Sequence, residues 1–391
     1  MTAARRLPGT PRLLRALNDR AALELLLARG PLTRAQLGEL TGLSKVTASQ
    51  LVERLEERGL VSRVGEQAGG RGPNAQLYAV RAGSAHVVGV DVGPDRVVAV
   101  CADLAGAVVG RVEQSTGDTD DPVGVVHNAV VQAAGSAQAQ LATVRRVVLG
   151  TPGLVDPATG DITFAFNLPR WHRGLLAALR EDLRTPVVFE NDVNLAAVAE
   201  AQSGAARDVD DFVLLWAGGG VGLAIVLGGR LHHGSTGAAG EIGYLPVPGA
   251  PVPRDPRRAK PPFGQLAGAE SLRAVAREHG FRGGSAEAAI RAAVAAGTAG
   301  GPVLDEVARR LALGVAATCV VLDPPLVVLA GEVGQAGGDA LADRIRHEVA
   351  AITPVSPRVV VTAVPDEPVL RGALATALDA VRDEVFGSTL G

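Results

Sequence analysis

Cysteine and aromatic residues are scarce in this chain of 391 residues, with two cysteines and an aromatic content of 3%. Cys101 and Cys319 both lie in apolar runs. We therefore predict two core thiols, and neither a disulfide framework nor a cysteine metal site. With so few aromatic rings, valine, leucine, isoleucine and alanine must supply most of the core.

Long apolar segments are also missing. No apolar stretch follows the N-terminal arginines, which argues against a signal peptide, and Asp323-Pro324-Pro325 interrupts the longest apolar run near the C-terminus. We expect a cytoplasmic protein without a membrane span. The length favours two or three domains, and the 49 glycines and 24 prolines punctuate valine-rich runs, as is typical of many strands and tight turns.

The small net charge of −3 hides an asymmetry. Residues 1–81 contain 13 Lys and Arg against 7 Asp and Glu, a net charge of +6, and the remainder carries −9. A basic N-terminal part on an acidic body indicates that one end of the protein meets a polyanion, although one arginine-rich helix could give the same bias by chance.

The N-terminal part has the pattern of three helices. Leucines at helical spacing predict a helix over Leu13–Leu27 that ends at Gly30. Thr33 can cap a second helix, Gly42 suits a tight turn that needs a positive φ, and Ser44 can cap a third helix. The leucines with this spacing are Leu13, Leu14, Leu17, Leu23, Leu26 and Leu27 in the first helix, and Leu37 and Leu40 on the buried side of the second.

The third helix has the composition of a DNA recognition helix. Its early polar positions face outward and carry hydroxyl, amide and cationic groups that can reach base edges in the major groove. A strand at Gly59-Leu60-Val61 and a hairpin wing over Gly69–Val80 follow, and Arg71 in that wing suits a minor-groove contact. A solvated hairpin with an incidental arginine is the alternative. The predicted DNA-binding residues are Ser44, Lys45, Thr47, Ser49, Gln50 and Arg71.

From Val87 onward, valine-rich strands alternate with alanine- and leucine-rich helices, which predicts an α/β fold. Hairpin-forming strand runs begin at Val87 and again at Phe212, and this repetition indicates a duplicated domain with a cleft between two lobes. Residues 89–96 resemble a phosphate-binding loop of the actin/hexokinase type. Asp91 and Gly93 fit that loop, but Pro94 removes a backbone donor and Asp95 adds a carboxylate.

The order of the motifs is similar to that of the ROK family (repressors, open reading frames, kinases). The similarity covers the helix-turn-helix and the wing, and it continues through four segments of the larger domain. Those segments are residues 150–156 (GTPGLVD), Asn167-Leu168-Pro169 with Trp171, residues 190–194 (ENDVN) and residues 229–243, which end in GAAGEIG. The resemblance implies a winged helix-turn-helix at 1–81 and an actin-like two-lobe domain at 85–391. The lobes are expected at about 85–205 and 206–391, with the C-terminal helix packed on the first lobe.

The resemblance also implies a sugar site. The expected effector-binding residues are Gly153, Asn167, Asn191, Asp192 and Glu241. Family kinases use the aspartate that matches Asp192 as a general base, so an active sugar kinase with Asp192 as base and Asp91 near Mg²⁺ and ATP is the alternative function.

Departures from the family pattern favour a protein without catalysis. Besides Pro94 and Asp95, Gly219 replaces the hydroxyl residue of the second phosphate loop. The family's zinc site needs a histidine at the position of Tyr244 and a cysteine cluster after it, but this chain has no cysteine in that segment. At the position where the family has a sugar-binding glutamate, this chain has Ala267. We therefore predict no metal, no cofactor and no enzymatic activity.

The sequence thus predicts a transcriptional repressor that binds operator DNA as a homo-oligomer, either a dimer or a tetramer. Its larger domain would join the subunits and sense a sugar or sugar derivative. A DNA-binding scaffold without any ligand remains a third interpretation.

Overall fold

The computed structural model describes residues 11–68, 74–116, 121–137, 139–164, 174–247 and 261–387. Residues Arg71 and Asn167, both predicted to bind ligands, lie outside these ranges. The first unit contains three helices and three strands: α1 (Pro11–Arg29), β1 (Leu32–Thr33), α2 (Arg34–Thr41), α3 (Lys45–Glu57), β2 (Val61–Gln67) and β3 (Ala75–Val80). The strands pair antiparallel in the order β1-β3-β2.

Local side-chain chemistry sets the helix ends of this head. Thr33 caps α2 in a capping box with Gln36, and Ser44 caps α3 by accepting a hydrogen bond from the Thr47 N–H. Gly42 between the two helices has a φ of 70°, a conformation that glycine adopts without steric cost. The predictions for Thr33, Gly42 and Ser44 are therefore confirmed.

The first helix is longer than predicted, and part of its leucine stripe is not buried. Leu23 and Leu26 are in the core, whereas Leu14 is 56% exposed and Leu17 is 53% exposed. The expectation that Leu40 lies on a buried side is wrong, because this residue is 38% exposed. Helical spacing identifies one face of a helix but does not say how far along the helix that face is covered.

The larger part of the chain contains two five-stranded sheets. The strands of the first sheet and the short pair beside it are β4 (His86–Val92), β5 (Arg96–Asp103), β6 (Val108–Ser115), β7 (Val144–Thr151), β8 (Leu154–Val155), β9 (Ile162–Phe164) and β10 (Val187–Asn191). The strands of the second sheet are β11 (Phe212–Ala217), β12 (Val221–Leu227), β13 (Arg230–Leu231), β14 (Leu326–Ala330) and β15 (Arg358–Val361). The helices are α4 (Pro122–Ser136), α5 (Leu175–Leu183), α6 (Asp192–Ser203), α7 (Pro262–Ala267), α8 (Ala269–Glu278), α9 (Ala286–Ala295), α10 (Gly301–Leu322), α11 (Gly331–Ile352) and α12 (Pro368–Gly387).

The two sheets share one strand order. The first reads β6-β5-β4-β7-β10 and the second β13-β12-β11-β14-β15, so in each the first three strands form an antiparallel meander and the last two add in parallel. This repetition confirms the predicted α/β fold with two related lobes. Both cysteines are buried in it, as predicted. Among the described helices, none combines the length and apolar character that crossing a membrane requires.

The C-terminal helix α12 belongs to the first lobe and also reaches the head. It packs on α6 so closely that a Cβ on Gly372 would lie 1.9 Å from the carbonyl oxygen of Leu195. Residues of α12, of the first sheet and of the head form one buried apolar cluster that includes Leu23, Leu104 and Phe386. The head is therefore joined to the body through a shared core.

Candidate functional site: a recognition helix and an interlobe cleft

The outward face of α3 is the first candidate site. Its buried residues are Ala48, Leu51, Val52 and Leu55. Of the predicted DNA-binding residues, Ser44, Lys45, Thr47 and Gln50 are exposed and Ser49 is half-buried. The Ser44 and Thr47 hydroxyls lie 2.9 Å apart, so they act first in capping the helix. The structure thus brings these five residues together at the N-terminal half of one helix, and it also exposes Val46 there, which the polar pattern did not single out.

A buried carboxylate holds the other end of α3. Asp19 of α1 is fully buried and accepts hydrogen bonds from the Arg54 guanidinium, and Arg58 Nη1 lies 3.6 Å from its Oδ2. Loss of one partner from such a buried cluster leaves an uncompensated charge, which is strongly destabilising. Asp19 therefore fixes the orientation of α3 relative to α1.

The wing strands β2 and β3 stand beside α3. Their ladder has a bulge between Arg63 and Gly65, and β2 is exposed along most of its length. Glu66 on β2 accepts hydrogen bonds from Asn74 and from Gln76 across the hairpin. The predicted hairpin is thus present over the described strands β2 and β3.

The second candidate site is the cleft between the lobes, where β10 meets α6. Asn191 caps α6 by accepting hydrogen bonds from the Val193 and Asn194 N–H groups, and its Nδ2 donates to the Gly153 carbonyl oxygen at 3.1 Å. The side chain of Asn191 thus ties the residue 150–153 loop to the start of α6. These bonds occupy both the oxygen and the nitrogen of the Asn191 amide. Asn191 therefore positions Asp192, the first residue of α6.

Several carboxylates face one another across this cleft. Burial raises the pKa of Asp192, and the negative charge of Glu332 adds to the effect. Burial, followed by the charge of Asp192, raises the pKa of Glu241 as well and brings the pKa of Asp91 to about 6. These residues come from both lobes, so the structure assembles Asp192 and Glu241 as hydrogen-bonding groups at a site that is already rich in negative charge.

Sequence reasoning missed a bond that crosses the cleft. His233, which follows β13, has its Nε2 2.8 Å from Oε2 of Glu190, the residue before Asn191. The other oxygen of Glu190 accepts hydrogen bonds from the Asn191 N–H and from the Asn194 side chain. The pairing with Glu190 raises the pKa of His233. This bond joins the second lobe directly to the residues that hold Asp192.

The hairpin between β4 and β5 resembles a phosphate loop but has few free donors. The Gly93 N–H donates to the Arg96 carbonyl oxygen at 2.9 Å, and Pro94 has no N–H. The carbonyl oxygens of Pro94 and Asp95 accept hydrogen bonds from Thr116. The tip of this hairpin is therefore closed by the protein's own hydrogen bonds.

The equivalent hairpin in the second lobe, between β11 and β12, lies beside the carboxylate of a residue on α11. A Cβ on Gly218 would lie 1.9 Å from Oε2 of Glu332, which sits in the first turn of α11. The Gly218 N–H is also used, since it donates to the Gly220 carbonyl oxygen at 3.0 Å. An exposed negative charge beside this loop opposes the approach of a phosphate.

The positions where the family places zinc and a second sugar ligand hold other side chains. Tyr244 follows Glu241 by three residues, and burial together with the charge of Glu241 raises the pKa of its hydroxyl. Ala267 is buried in the apolar core of the second lobe. Within the described residues, no group of three or more His, Cys, Asp or Glu side chains has a metal-binding arrangement.

Comparisons with known proteins agree with this architecture. The family model described as "ROK family" matches residues 87–380, and that of the MarR family matches residues 17–72. The "DNA-binding transcriptional dual regulator NagC" of Escherichia coli K12 is 29% identical over 243 residues, which are 61% of this chain and 59% of NagC. The xylose repressor of Bacillus subtilis 168 is 28% identical over 242 residues, 60% of this chain and 61% of that protein. The matched segments thus span about three fifths of these relatives.

Solved structures show the same fold. A ROK family transcriptional regulator, described as a homolog of the E. coli MLC protein, aligns over 96% of this chain and 99% of its own with a TM-score of 0.74 and 20% identity. The ROK hexokinase of Thermus thermophilus aligns over 76% of this chain and 99% of its own, with a TM-score of 0.63 and 26% identity. The family model covers well over half of the sequence, and the two lobes have the matching fold. The chain belongs to the ROK family.

Proposed function

We propose that this protein is a sequence-specific DNA-binding repressor whose ROK domain has no kinase activity. The observation that carries the proposal is the outward face of α3, which is capped by Ser44, carries Lys45 and Gln50, and is fixed to α1 through Asp19. Such a helix can place its N-terminal turns in the major groove. The names of the curated relatives, a transcriptional regulator and a xylose repressor, support this function.

A homo-oligomer would present two such heads. In a symmetric dimer, or in each half of a tetramer, the two α3 helices would bind half-sites separated by one helical turn of DNA or a multiple of it. The residues assigned to DNA contact are Ser44, Lys45, Thr47, Ser49 and Gln50 on α3, together with Arg71 of the wing.

The cleft would bind the effector, a sugar or sugar derivative. Asp192 and Glu241 offer carboxylates to vicinal hydroxyls, while Asn191 and Gly153 shape the same pocket and Asn167 is assigned to it by the family pattern. Relatives named as N-acetylglucosamine and xylose repressors support a carbohydrate ligand. Because α12 packs on α6 and also contacts the head, closure of the lobes on a sugar would change the head positions, provided that the sugar prefers one lobe arrangement.

Both hairpin tips support the proposed absence of kinase activity. Phosphoryl transfer needs donors and cations that position the phosphates and stabilise their charge. In the first lobe the Gly93 N–H is used internally and Asp95 adds a carboxylate, and in the second lobe Glu332 lies against Gly218. The cleft thus retains a place for a sugar and opposes a triphosphate.

The full-length protein should enrich a defined sequence from random duplex DNA, and Lys45→Ala and Gln50→Ala should weaken binding to it. Lys45→Ala should lower affinity for all sequences and reduce the salt dependence by about one counterion, whereas Gln50→Ala should relax base preference at one position of each half-site. Arg277→Ala, on α8 of the second lobe, is a matched charge control and should change neither. Failure to enrich any sequence over non-specific DNA would overturn the proposal.

The effector assignment is tested by thermal shift with sugars and sugar phosphates, followed by DNA-binding assays with any ligand found. Glu241→Gln and Asp192→Asn should abolish the shift without changing DNA affinity in the absence of sugar. A ligand that stabilises the protein but leaves operator affinity unchanged would contradict the sensing mechanism.

A further inference from the structure

One apolar side chain stands on the otherwise polar outward face of α3. Val46 is 68% exposed, although the buried residues of the same helix, Leu51 and Val52, are each 1% exposed. Single exposed apolar residues are common on protein surfaces, so exposure alone assigns no role. The position of Val46 on the helix supplies the second observation.

Val46 lies at the centre of the outward face. At about 100° per residue, Val46 is about 180° around the helix axis from Leu55, the fully buried residue that faces the core. Gln50 is one turn further along the same ridge and is also exposed. Val46 is the second residue of α3, so it belongs to the N-terminal turn that enters the groove in this type of domain.

The charges around Val46 suit DNA. Lys45 is exposed and forms no salt bridge with any residue the structure describes. Glu53 and Glu57 are exposed acidic residues two and three turns along the outward face, and Glu53 is partnered by Arg34 at 3.4 Å, which reduces its repulsion of phosphates. Both glutamates lie beyond the N-terminal turn that holds Lys45 and Val46, and residues 1–81 as a whole carry a net charge of +6. The surroundings of Val46 in the first turn therefore favour contact with base edges over contact with a hydrophobic protein partner.

The major groove offers one apolar group to such a side chain, the C5-methyl of thymine. Valine has no donor or acceptor, so it cannot recognise the polar edge of any base. Its two methyl groups can exclude water from the thymine methyl, and this contact favours T·A at the contacted position.

Resting on the proposed DNA-binding function, we propose that Val46 is a specificity-determining residue that contacts a thymine methyl in each operator half-site. Gln50, one turn further along, contacts a neighbouring base pair. The operator is therefore expected to contain one thymine per half-site whose methyl group contributes to affinity.

The test begins with parallel selections from random duplex DNA, using the full-length wild type and Val46→Ala. Alanine keeps the helix, since its helix propensity exceeds that of valine. Each thymine fixed in the wild-type selection is then replaced by deoxyuridine, which removes only the methyl group, and affinity is measured at constant salt. Val108→Ala, which alters a valine of similar exposure (60%) on β6, is the control.

For the wild type and the Val108 variant, each half-site should contain one thymine whose single replacement by deoxyuridine lowers affinity about fourfold. This factor is the binding free energy expected from burial of one methyl group. Val46→Ala removes the two γ-methyl groups and should lose most of the preference for thymine at that position, so its affinities for the uracil and thymine duplexes should differ by much less than about fourfold. The proposal is overturned if Val46→Ala retains both the thymine preference and the sensitivity to uracil. If the wild type enriches no sequence, the DNA-binding function itself fails, and the Val46 contact fails with it.

Discussion

Arg58, the residue that follows the recognition helix, donates a hydrogen bond from Nη2 to the backbone carbonyl oxygen of Val385 near the end of α12, at 2.7 Å. The same arginine lies beside the buried Asp19 of α1. Since α12 also packs on α6, whose first residue is Asp192, a single helix contacts both the residue that follows α3 and the helix that begins at Asp192. A movement of α6 can therefore reach the head through α12.

Replacement of Arg58 by alanine should loosen the head. The variant loses a charge-assisted hydrogen bond to Val385, worth about 1.5–3 kcal/mol, and one cation near Asp19. Hydrogen exchange at α3 and at the end of α12 should accelerate accordingly. Arg20→Ala is the control, because the ion pairs of Arg20 with Glu24 and Asp383 are exposed and their loss should cost less than about 1 kcal/mol. Equal effects of the two variants would contradict a special role for Arg58.

Replacement of Gly372 by alanine should disturb the contact between α12 and α6. The added Cβ would lie 1.9 Å from the Leu195 carbonyl oxygen, so the two helices must separate. The expected cost is about 1–3 kcal/mol of unfolding free energy, measured by urea denaturation. Gly135→Ala in α4 is the control; its Cβ meets nothing within 4 Å, and the change should stabilise the helix by up to about 1 kcal/mol. If Gly372→Ala left the unfolding free energy unchanged, the helices could separate without an energetic cost, which would contradict this prediction.

Stability should decrease with rising pH through the pair formed by His233 and Glu190. The pKa of His233 is raised in the folded state, mainly by its bond to Glu190. The folded protein then holds a proton that the unfolded chain releases near its ordinary pKa of about 6.5. The stabilisation is full below that pH and is lost as pH rises through the higher folded pKa.

His233→Gln should therefore flatten the pH dependence of the urea midpoint above about pH 6.5, the range in which the wild type loses this stabilisation. The carboxyl groups with raised pKa values also affect the pH dependence of stability; they are Asp91, with a folded pKa of about 6, Asp192 and Glu241. They are present in the wild type and in the variant, so their effect cancels in the comparison. His232→Gln changes the neighbouring exposed histidine and should keep the wild-type profile. Parallel profiles for wild type and His233→Gln would show that the bond across the lobes does not form in solution.

ATP with Mg²⁺ should not raise the melting temperature of the protein. One backbone donor at each hairpin tip, the N–H of Gly93 and that of Gly218, is used internally, and Glu332 repels a phosphate at the second tip. A ligand that binds the folded state must raise its stability, so the thermal shift measures binding directly. An ATP-dependent shift, or phosphorylation of a hexose that disappears in Asp192→Asn, would instead identify an active kinase with Asp192 as base.

Local chemistry made the head largely predictable. The caps at Thr33 and Ser44 and the turn at Gly42 each depend on residues within one turn of the chain, so the sequence pattern was sufficient. The two lobes were predictable for a similar reason, since each begins with a hairpin of apolar strands. Val46 was overlooked because an apolar residue in a helix suggests core, and only the structure shows which way it faces.

Contacts between distant segments were not predictable from one sequence. Glu190 and His233 are 43 residues apart, and Arg58 and Val385 are 327 residues apart, so no spacing rule links them. Glu332 is likewise far in sequence from Gly218, and its place beside the second hairpin follows from the parallel pairing of β11 with β14. These contacts depend on how the lobes and the head pack together.

The repeated strand order has an evolutionary consequence. The hairpins at Gly93–Asp95 and at Gly218–Gly220 occupy equivalent places in the two sheets, and each carries its own obstacle to a phosphate. If the domain has no kinase activity, as proposed, a substitution that removes the obstacle in one lobe leaves the other in place and brings no catalytic gain on which selection could act. Recovery of phosphoryl transfer would then need changes in both lobes at once, and the proposed sugar site could change its preference among sugars without having to support catalysis.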